Sequence, residues 1–330
     1  MEEQYPHMVV HVYNPSHDEA LAHNRTHYCP SAAARSTAAR FWDVALAWAA
    51  GGDVVLRLPD DGSLRGVLFC RVDAGGGRFE PGGGGTAAAH FDWSAVSVIE
   101  PWGWDRHIVG VLRRLGAPER LLPSEARLDR IRALSSRHTA VEVLEALDAA
   151  PFRSRWCTSE AAVAAAVGDF GGLAVLKQPW SCSGRGVWRS DSPSSAQRVR
   201  KTLREQGAVE AEPLYERMAD FAMEFWADSS VGVRYEGLSL FTTHDGGGYA
   251  GNVIAPQHEL RHRLEQAAGA PLPLRALAER LSSVLHRILG DEYSGPLGVD
   301  MMLTPEGIHP CIEVNLRNTM GRVAIMQAGA

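Results

Sequence analysis

Near its C-terminus the chain carries a strand pattern that few folds can use. Over Ile308–Arg317 (IHPCIEVNLR) the polar residues Glu313, Asn315 and Arg317 alternate with Val314 and Leu316. An extended backbone therefore puts the three polar side chains on one face and the apolar pair behind them. The preceding run Gly298–Leu303 (GVDMML) is joined to it by Thr304-Pro305-Glu306-Gly307, a turn sequence that predicts two adjacent strands. Such a hairpin brings Asp300 to the same face. Two carboxylates and an amide oxygen form a hard, oxygen-rich donor set suited to Mg²⁺, which also keeps water and phosphate oxygens in its shell. Arg317 beside it can grip a phosphoryl group through two donors. The plainer reading is an edge strand with its polar face in water, but Asn and an acid are poor choices for a short strand by propensity.

A second segment points to the same chemistry. Leu173–Trp188 (LAVLKQPWSCSGRGVW) is an apolar strand ending at Lys177, followed by a loop with Ser181, Ser183, Gly184 and Gly186. Glycines let backbone amides converge on an anion, serine hydroxyls add donors, and the ammonium supplies a compact charge. This is a phosphate cradle in outline, though GxxxxGK[ST] is absent. A Ser/Gly turn beside a surface lysine is the alternative. Lysine usage favours the cradle: of 33 basic side chains only Lys177 and Lys201 are lysines.

Composition limits the partners. With 330 residues, 45% hydrophobic and 22% charged, the chain is long enough for two domains and a core without covalent staples. A net charge of −6 argues against coating nucleic acid or an anionic membrane, so small molecules are the expected partners and a homodimer is allowed. Five widely spaced cysteines without a CxxC pair indicate neither a disulfide framework nor a zinc knuckle. The acidic N-terminal residues and the lack of an apolar run of about 18 residues predict a cytoplasmic protein.

The first hundred residues read as a small α/β unit, with strands at Met8–Tyr13, Asp53–Leu58, Gly66–Val72 and Val96–Ile99, a helix over Ala38–Ala50, and a glycine-rich loop over Gly75–Gly85. Helices follow at Asp105–Leu115 and Arg137–Leu147. Then comes a tight alternation: helix Glu160–Val167, strand Leu173–Lys177, strand Gly186–Trp188, helix Ser195–Gln206 and a strand ending near Glu212. Strands around Asp220–Trp226 and Val231–Thr242 and a helix at Leu274–Leu289 precede the C-terminal pair.

Taken together, these residues resemble the ATP-grasp family of ATP-dependent carboxylate–amine ligases. The order is the family's: strand, lysine and Gly/Ser loop (Lys177 to Gly186), an acidic hinge (Glu210-Ala-Glu212-Pro213-Leu214), an acid on a strand (Asp300), then E-x-N-x-R (Glu313, Asn315, Arg317). The match covers about Leu134 to Arg322. The resemblance implies an α+β, ATP-grasp fold of two α/β lobes sandwiching ATP, preceded by a small α/β N-terminal domain, with boundaries at 1–115, 116–211 and 212–330. It implies ATP and Mg²⁺ as cofactors. Lys177 would contact the α/β-phosphates and the Ser181–Gly186 loop, with Ser183 and Gly184, would close over the β/γ-phosphates. Either Glu210 or Glu212, with Leu214, would meet the adenosine. Asp300, Glu313 and Asn315 would hold Mg²⁺, and Arg317 would stabilise the transferred phosphoryl. Where members usually have a second phosphate lysine, Leu134–His138 reads LSSRH, so Arg137 takes that place. The implied reaction joins a carboxylate to an amine through an acyl phosphate, on an amino acid or peptide. A kinase on a hydroxyl acceptor and a nucleotide-binding module without chemistry are the alternatives.

Other segments compete for attention. His258-Glu259-Leu260-Arg261-His262 is a literal HExxH, which on a helix offers two imidazoles to zinc; Arg261 and Arg263 add cations beside them and no third ligand beyond Glu279 is signalled, so a solvated amphipathic helix is the expected reading. Gly82–Ala87 fits G-x-G-x-x-A without the strand such a motif requires. For substrate contacts the candidates are Tyr249, Asn252, Arg234 and Arg322, and Asn14–Asp18 at a strand end, each with an ordinary loop or surface role as the alternative.

Overall fold

The computed structural model describes residues 8–59, 64–80, 85–181, 186–243 and 249–329. The chain divides into two compact units, Met1–Arg130 and Ile131–Ala330.

The first unit is built on β1 (Met8–Val12), followed by α1 (His17–His23), α2 (Ala32–Arg40), β2 (Val54–Arg57), β3 (Leu68–Arg71), β4 (Thr86–Ala87), β5 (Val96–Pro101), α3 (Arg106–Arg114) and the start of α4 (Glu125–Leu134). Its sheet has the order β4-β3-β2-β1-β5, with β1 parallel to β2 and β5 and the other pairs antiparallel. Val10, Val12 and Leu56 pack with Ile108 and Leu112 of α3. Asp105 caps α3 by accepting from the Ile108 amide at 2.8 Å, which satisfies one of the donors that a helix start leaves unpaired.

The helix expected over Ala38–Ala50 is not formed. The helix lies earlier, at Ala32–Arg40, where Ser31 accepts from the Ala34 amide and an alanine-rich run follows; only a 3-10 turn occupies Val44–Ala47. The apolar spacing over 41–50 is real, but it serves packing: Ala45 and Ala49 cluster with Val55 and Val72, and Trp42 stacks on Phe79. Tertiary burial outweighed helical periodicity there.

The second unit contains α5 (His138–Ala146), β6 (Arg155–Cys157), α6 (Glu160–Asp169), β7 (Ala174–Lys177), β8 (Val187–Arg189), α7 (Ser195–Gln206) and β9 (Val209–Pro213). The four strands pair in the order β6-β9-β7-β8. Leu176, Val209 and Ala211 bury one sheet face against Val163 and Ala166 of α6 and Val199 of α7. The chain continues through β10 (Ala219–Asp228), β11 (Gly232–Thr243), β12 (Tyr249–Asn252), α8 (Gln257–Ala268), α9 (Leu274–Leu289), β13 (Gly295–Thr304), β14 (Gly307–Asn315) and α10 (Met320–Ala328). These five strands form an antiparallel sheet, β12-β11-β10-β13-β14. Alternation sends Phe221, Met223 and Phe225 of β10 to a buried face with Leu297, Val299 and Met301 of β13. The opposite face carries two cross-strand rows, Ala222–Asp300–Glu313 and Glu224–Gly298–Asn315. No helix among the described residues is long and apolar enough to cross a membrane.

Candidate active site

The antiparallel register of β7 and β9 sets Lys177 opposite Glu210. Lys177 Nζ lies 2.8 Å from Glu212 Oε2 and 3.7 Å from Glu210 Oε2, and all three side chains are buried. Burial alone would push the ammonium down, but the two carboxylates outweigh it and hold its pKa above the ordinary lysine value. Burial pushes Glu210 up, and Ser154 Oγ donates to its Oε1 at 2.7 Å. Among the described residues no well-aligned hydrogen bond reaches Lys177 Nζ, Glu210 Oε2 or Glu212 Oε2. The lysine therefore keeps donor capacity in a place where an unused donor is costly.

Arg137, immediately before α5, ties the loop to the distant strand. Its Nη1 donates to Gln178 O and to Ser181 Oγ, both at 2.7 Å, and its Nη2 donates to Glu313 Oε2 at 2.8 Å. Its Nε lies 3.9 Å from Glu210 Oε2. The base of the loop is anchored by Trp180, whose indole donates to Arg132 O at 2.9 Å while the Arg132 guanidinium lies 3.6 Å from the ring centroid. Gly186 accepts from Gln178 N at 2.9 Å, and a side chain there would overlap that of Ser181. Ser183 and Gly184 lie outside the described residues. Leu214 follows β9 and is partly exposed, and Tyr215 beside it contacts the rings of Phe152 and His309. Burial and the nearby Lys177 push the His309 pKa down to about 3, so the imidazole is neutral.

At the other end, Asp300 and Glu313 are register partners on β13 and β14. Asn315 Nδ2 donates to Asp300 Oδ2 at 3.1 Å, and Arg317 Nη2 donates to Asn315 Oδ1 at 2.9 Å. Burial, then the Glu313 charge, push the Asp300 pKa up to about 7. A site that resists ionising its own carboxyl is short of positive charge, which a divalent cation would supply. The donor set is hard, two carboxylates and one amide, and fits Mg²⁺; among the described residues no group of three or more His, Cys, Asp or Glu is placed to hold a metal ion, so the amide would have to complete the set. The Cys311 thiol, pushed up by burial, feels the charges of Glu210 and Lys177 together with those of Asp300 and Glu313. The two groups of residues thus converge, with Arg137 bridging them.

Glu224 was missed from sequence. It is fully buried on the Asp300 face of β10, and burial pushes its pKa up to about 8. The available signal was an acid in the interior of the strand Ala219–Asp228, with apolar residues on both sides of it over Phe221–Ala227.

Of the proposed substrate contacts, Arg322 is buried, donating to Glu236 Oε2 at 2.9 Å and Asn318 Oδ1 at 2.8 Å above the Trp226 ring. Arg234 is exposed and pairs with the same Glu236 at 3.1 Å. Asn252 lies on β12, while residues 244–248 and the Tyr249 side chain fall outside what is described. Asn14 donates to Gly103 O at 2.9 Å and Asp105 Oδ2 at 3.1 Å, and His17 Nδ1 lies 3.0 Å from the same carboxylate. This network at the ends of β1 and β5 includes an Asn turn and a helix cap, so it has a structural use. The HExxH sequence lies on α8 with both histidines exposed, Glu259 accepts from Arg263 at 3.1 Å, and Glu279 accepts from Arg275 at 3.0 Å. These ion pairs fit a solvated helix, so metal analysis of protein purified without chelator should find zinc well below one equivalent; a stoichiometric amount would restore the zinc reading.

No protein-family model matches the sequence, and no curated protein matches it. Solved structures do. D-alanyl-alanine synthetase A from Vibrio cholerae aligns at a TM-score of 0.52 and 12% identity, over 97% of this chain and 92% of that one. N5-carboxyaminoimidazole synthetase from Staphylococcus aureus, complexed with ADP, aligns at 0.47 and 14% identity over 69% of this chain and 57% of the synthetase. A RimK domain protein ATP-grasp from Sphaerobacter thermophilus aligns at 0.42 and 19% identity, over 71% and 80%. The chain thus spans little more than half the length of the Staphylococcus synthetase. The full-length likeness to the Vibrio synthetase, taken with the β13–β14 hairpin and the four-stranded sheet that carries Lys177, shows that this chain has the ATP-grasp fold.

Proposed function

We propose that the protein is an ATP- and Mg²⁺-dependent carboxylate–amine ligase, with one lobe of the site over about 116–211 and the other over 212–330. The observation that carries this reading is the unbroken line of charge from Lys177 through Glu210, Arg137 and Glu313 to Asp300. Lys177 and Arg137 could meet the phosphates of a nucleotide, and Asp300 and Glu313 at the far end of the line would face its Mg²⁺. When bound, Mg-ATP would supply the phosphoryl group that converts a carboxylate into an acyl phosphate open to amine attack.

The chain's own residues then have distinct tasks. Lys177 would exchange part of its pairing with Glu212 for phosphate oxygens, Arg137 and Ser181 would hold the same polyanion, and Ser183, Gly184 and Gly186 are the loop residues that would close over it. Glu210 keeps Lys177 charged in a buried setting, while Glu212 and Leu214 would meet the nucleoside. Asp300, Glu313 and Asn315 would hold the cation. Arg317 donates to the transferred group as its charge spreads. Water must be kept from an acyl phosphate, and closure of the Gly/Ser loop would be the means of excluding it.

The test is ADP release measured over carboxylates and amines singly and in pairs, with hydroxylamine as a trap. Dependence on two components, and a hydroxamate when hydroxylamine replaces the amine, are expected. A stable phosphorylated product without either would replace ligase by kinase, and no ADP under any pairing would leave a nucleotide-binding module.

A further inference from the structure

Glu224 is the most costly residue in the second unit that the scheme above leaves without a task. An acid at the centre of a sheet must be desolvated, and an apolar residue there would normally stabilise the fold more. Yet the surroundings are shaped around it. Glu224, Gly298 and Asn315 form one row across three strands. Because Gly298 has no side chain, the carboxyl can lie across β13 towards β14; a Cβ on Gly298 would come within 2.8 Å of Glu224 Oε2 and of Thr319 Cγ2. Gly321, in the first turn of α10, is bare for the same reason, since a Cβ there would overlap Glu224 Oε1 and Ser239 Oγ. Ser239 Oγ donates to Oε1 at 3.3 Å, and the Thr319 hydroxyl approaches the same carboxyl. Oε2 is buried with no hydrogen-bond partner among the described residues.

The segment gripped in this way is Asn315–Gly321, the turn from β14 into α10, which contains Arg317. We propose that Glu224 is a positioning residue that clamps this turn to the sheet, so that Asn315 and Arg317 are held against Asp300. The inference rests on reading Asn315 and Arg317 as ligands of the cation and the phosphoryl group. Two glycines sacrificed to admit one carboxyl, both on the path of that turn, are what a fold would not otherwise need.

The test compares ADP binding with and without Mg²⁺, by calorimetry, for the wild type, Glu224→Gln, Glu224→Ala and Ser239→Ala. Glu224→Gln keeps the shape and an acceptor for the Ser239 hydroxyl, and should stay within about 3-fold of wild type with Mg²⁺. Glu224→Ala should weaken Mg-ADP by about 10-fold or more while metal-free ADP, held at the Lys177 end, changes by less than about 3-fold. A purely structural role would lower both alike or neither. Equal Mg²⁺ enhancement in Glu224→Ala and wild type overturns the proposal. If Glu224→Ala does not fold, Ser239→Ala decides: about a 3-fold loss of the Mg²⁺ enhancement supports the clamp, and an unchanged enhancement overturns it. A wild type whose ADP binding ignores Mg²⁺ overturns the site reading itself, and this inference with it.

Discussion

Lys177→Met is expected to remove nucleotide binding and also about 3–5 kcal/mol of stability, the cost of breaking a buried ion pair from one side. Sequence alone predicts that replacing this lysine abolishes ATP turnover and leaves the fold intact. The structure reverses the second expectation. Lys177 is 3% exposed and its ammonium lies between two carboxylates that are themselves buried. Without it Glu212 loses its 2.8 Å partner, and Glu210 is left with Arg137 Nε at 3.9 Å, which already serves Glu313 through Nη2. The stranded carboxyl must then take up a proton on folding. An acid protonated in the folded state and ionised in the unfolded state loses stability as pH rises from its unfolded pKa, so the variant should lie closer to wild type at pH 5 than at pH 8. Denaturant unfolding at the two pH values measures this. Lys177→Met/Glu212→Gln separates the two effects: it should regain most of the stability and none of the ADP binding. Wild-type stability in the single variant, or restored binding in the double one, would defeat the prediction.

The sequence displayed the pieces of this site but not the relations among them. Alternation along Ile308–Arg317 placed Glu313, Asn315 and Arg317 on one face because a strand permits no other arrangement, and the β13–β14 register indeed sets Asp300 opposite Glu313. Lys177, Glu210 and Glu212 were visible as separate elements 33 and 35 positions apart. That they neutralise one another depends on β9 lying beside β7, and strand order within a sheet is a long-range property. Arg137 looked like a substitute for a lysine; its reach to Ser181 and Glu313 at once follows from the way α5 begins against the Gln178–Ser181 loop. The misplaced helix at Ala38–Ala50 has the opposite origin: a correct apolar pattern whose burial was satisfied by side-chain packing instead of helical geometry. Glu224 was hidden most thoroughly. Its surroundings are two glycines and two hydroxyls from three separate segments, and a glycine conceals in sequence what it makes room for.

The second large effect is expected at Glu313→Gln. Glu313 is the more accessible of the two paired acids, with a quarter of its side chain exposed, and accepts from Arg137 at 2.8 Å. Glutamine keeps an acceptor for that guanidinium, so the fold should lose no more than about 1 kcal/mol, as for other partly solvated ion pairs. It removes one of the two negative charges offered to the cation. The Mg²⁺ dependence of ADP formation should therefore weaken by about 100-fold or more, since even outer partners of a metal site cost 10- to 100-fold when removed. A third consequence distinguishes electrostatics from simple misfolding. Burial comes first in raising the Asp300 pKa to about 7, and the Glu313 charge second, so in the variant the Asp300 proton should leave at lower pH. An acid whose folded pKa is raised binds its proton more tightly in the native state, and its contribution to stability therefore falls as pH climbs from about 4 towards 7. Removing the Glu313 charge should flatten that part of the profile while burial keeps some of the slope. Unfolding free energies from pH 4 to 8, set beside ADP formation as a function of Mg²⁺, measure both. Wild-type Mg²⁺ dependence would exclude Glu313 as a cation ligand, and an unchanged pH profile would show that the two carboxylates do not share a field.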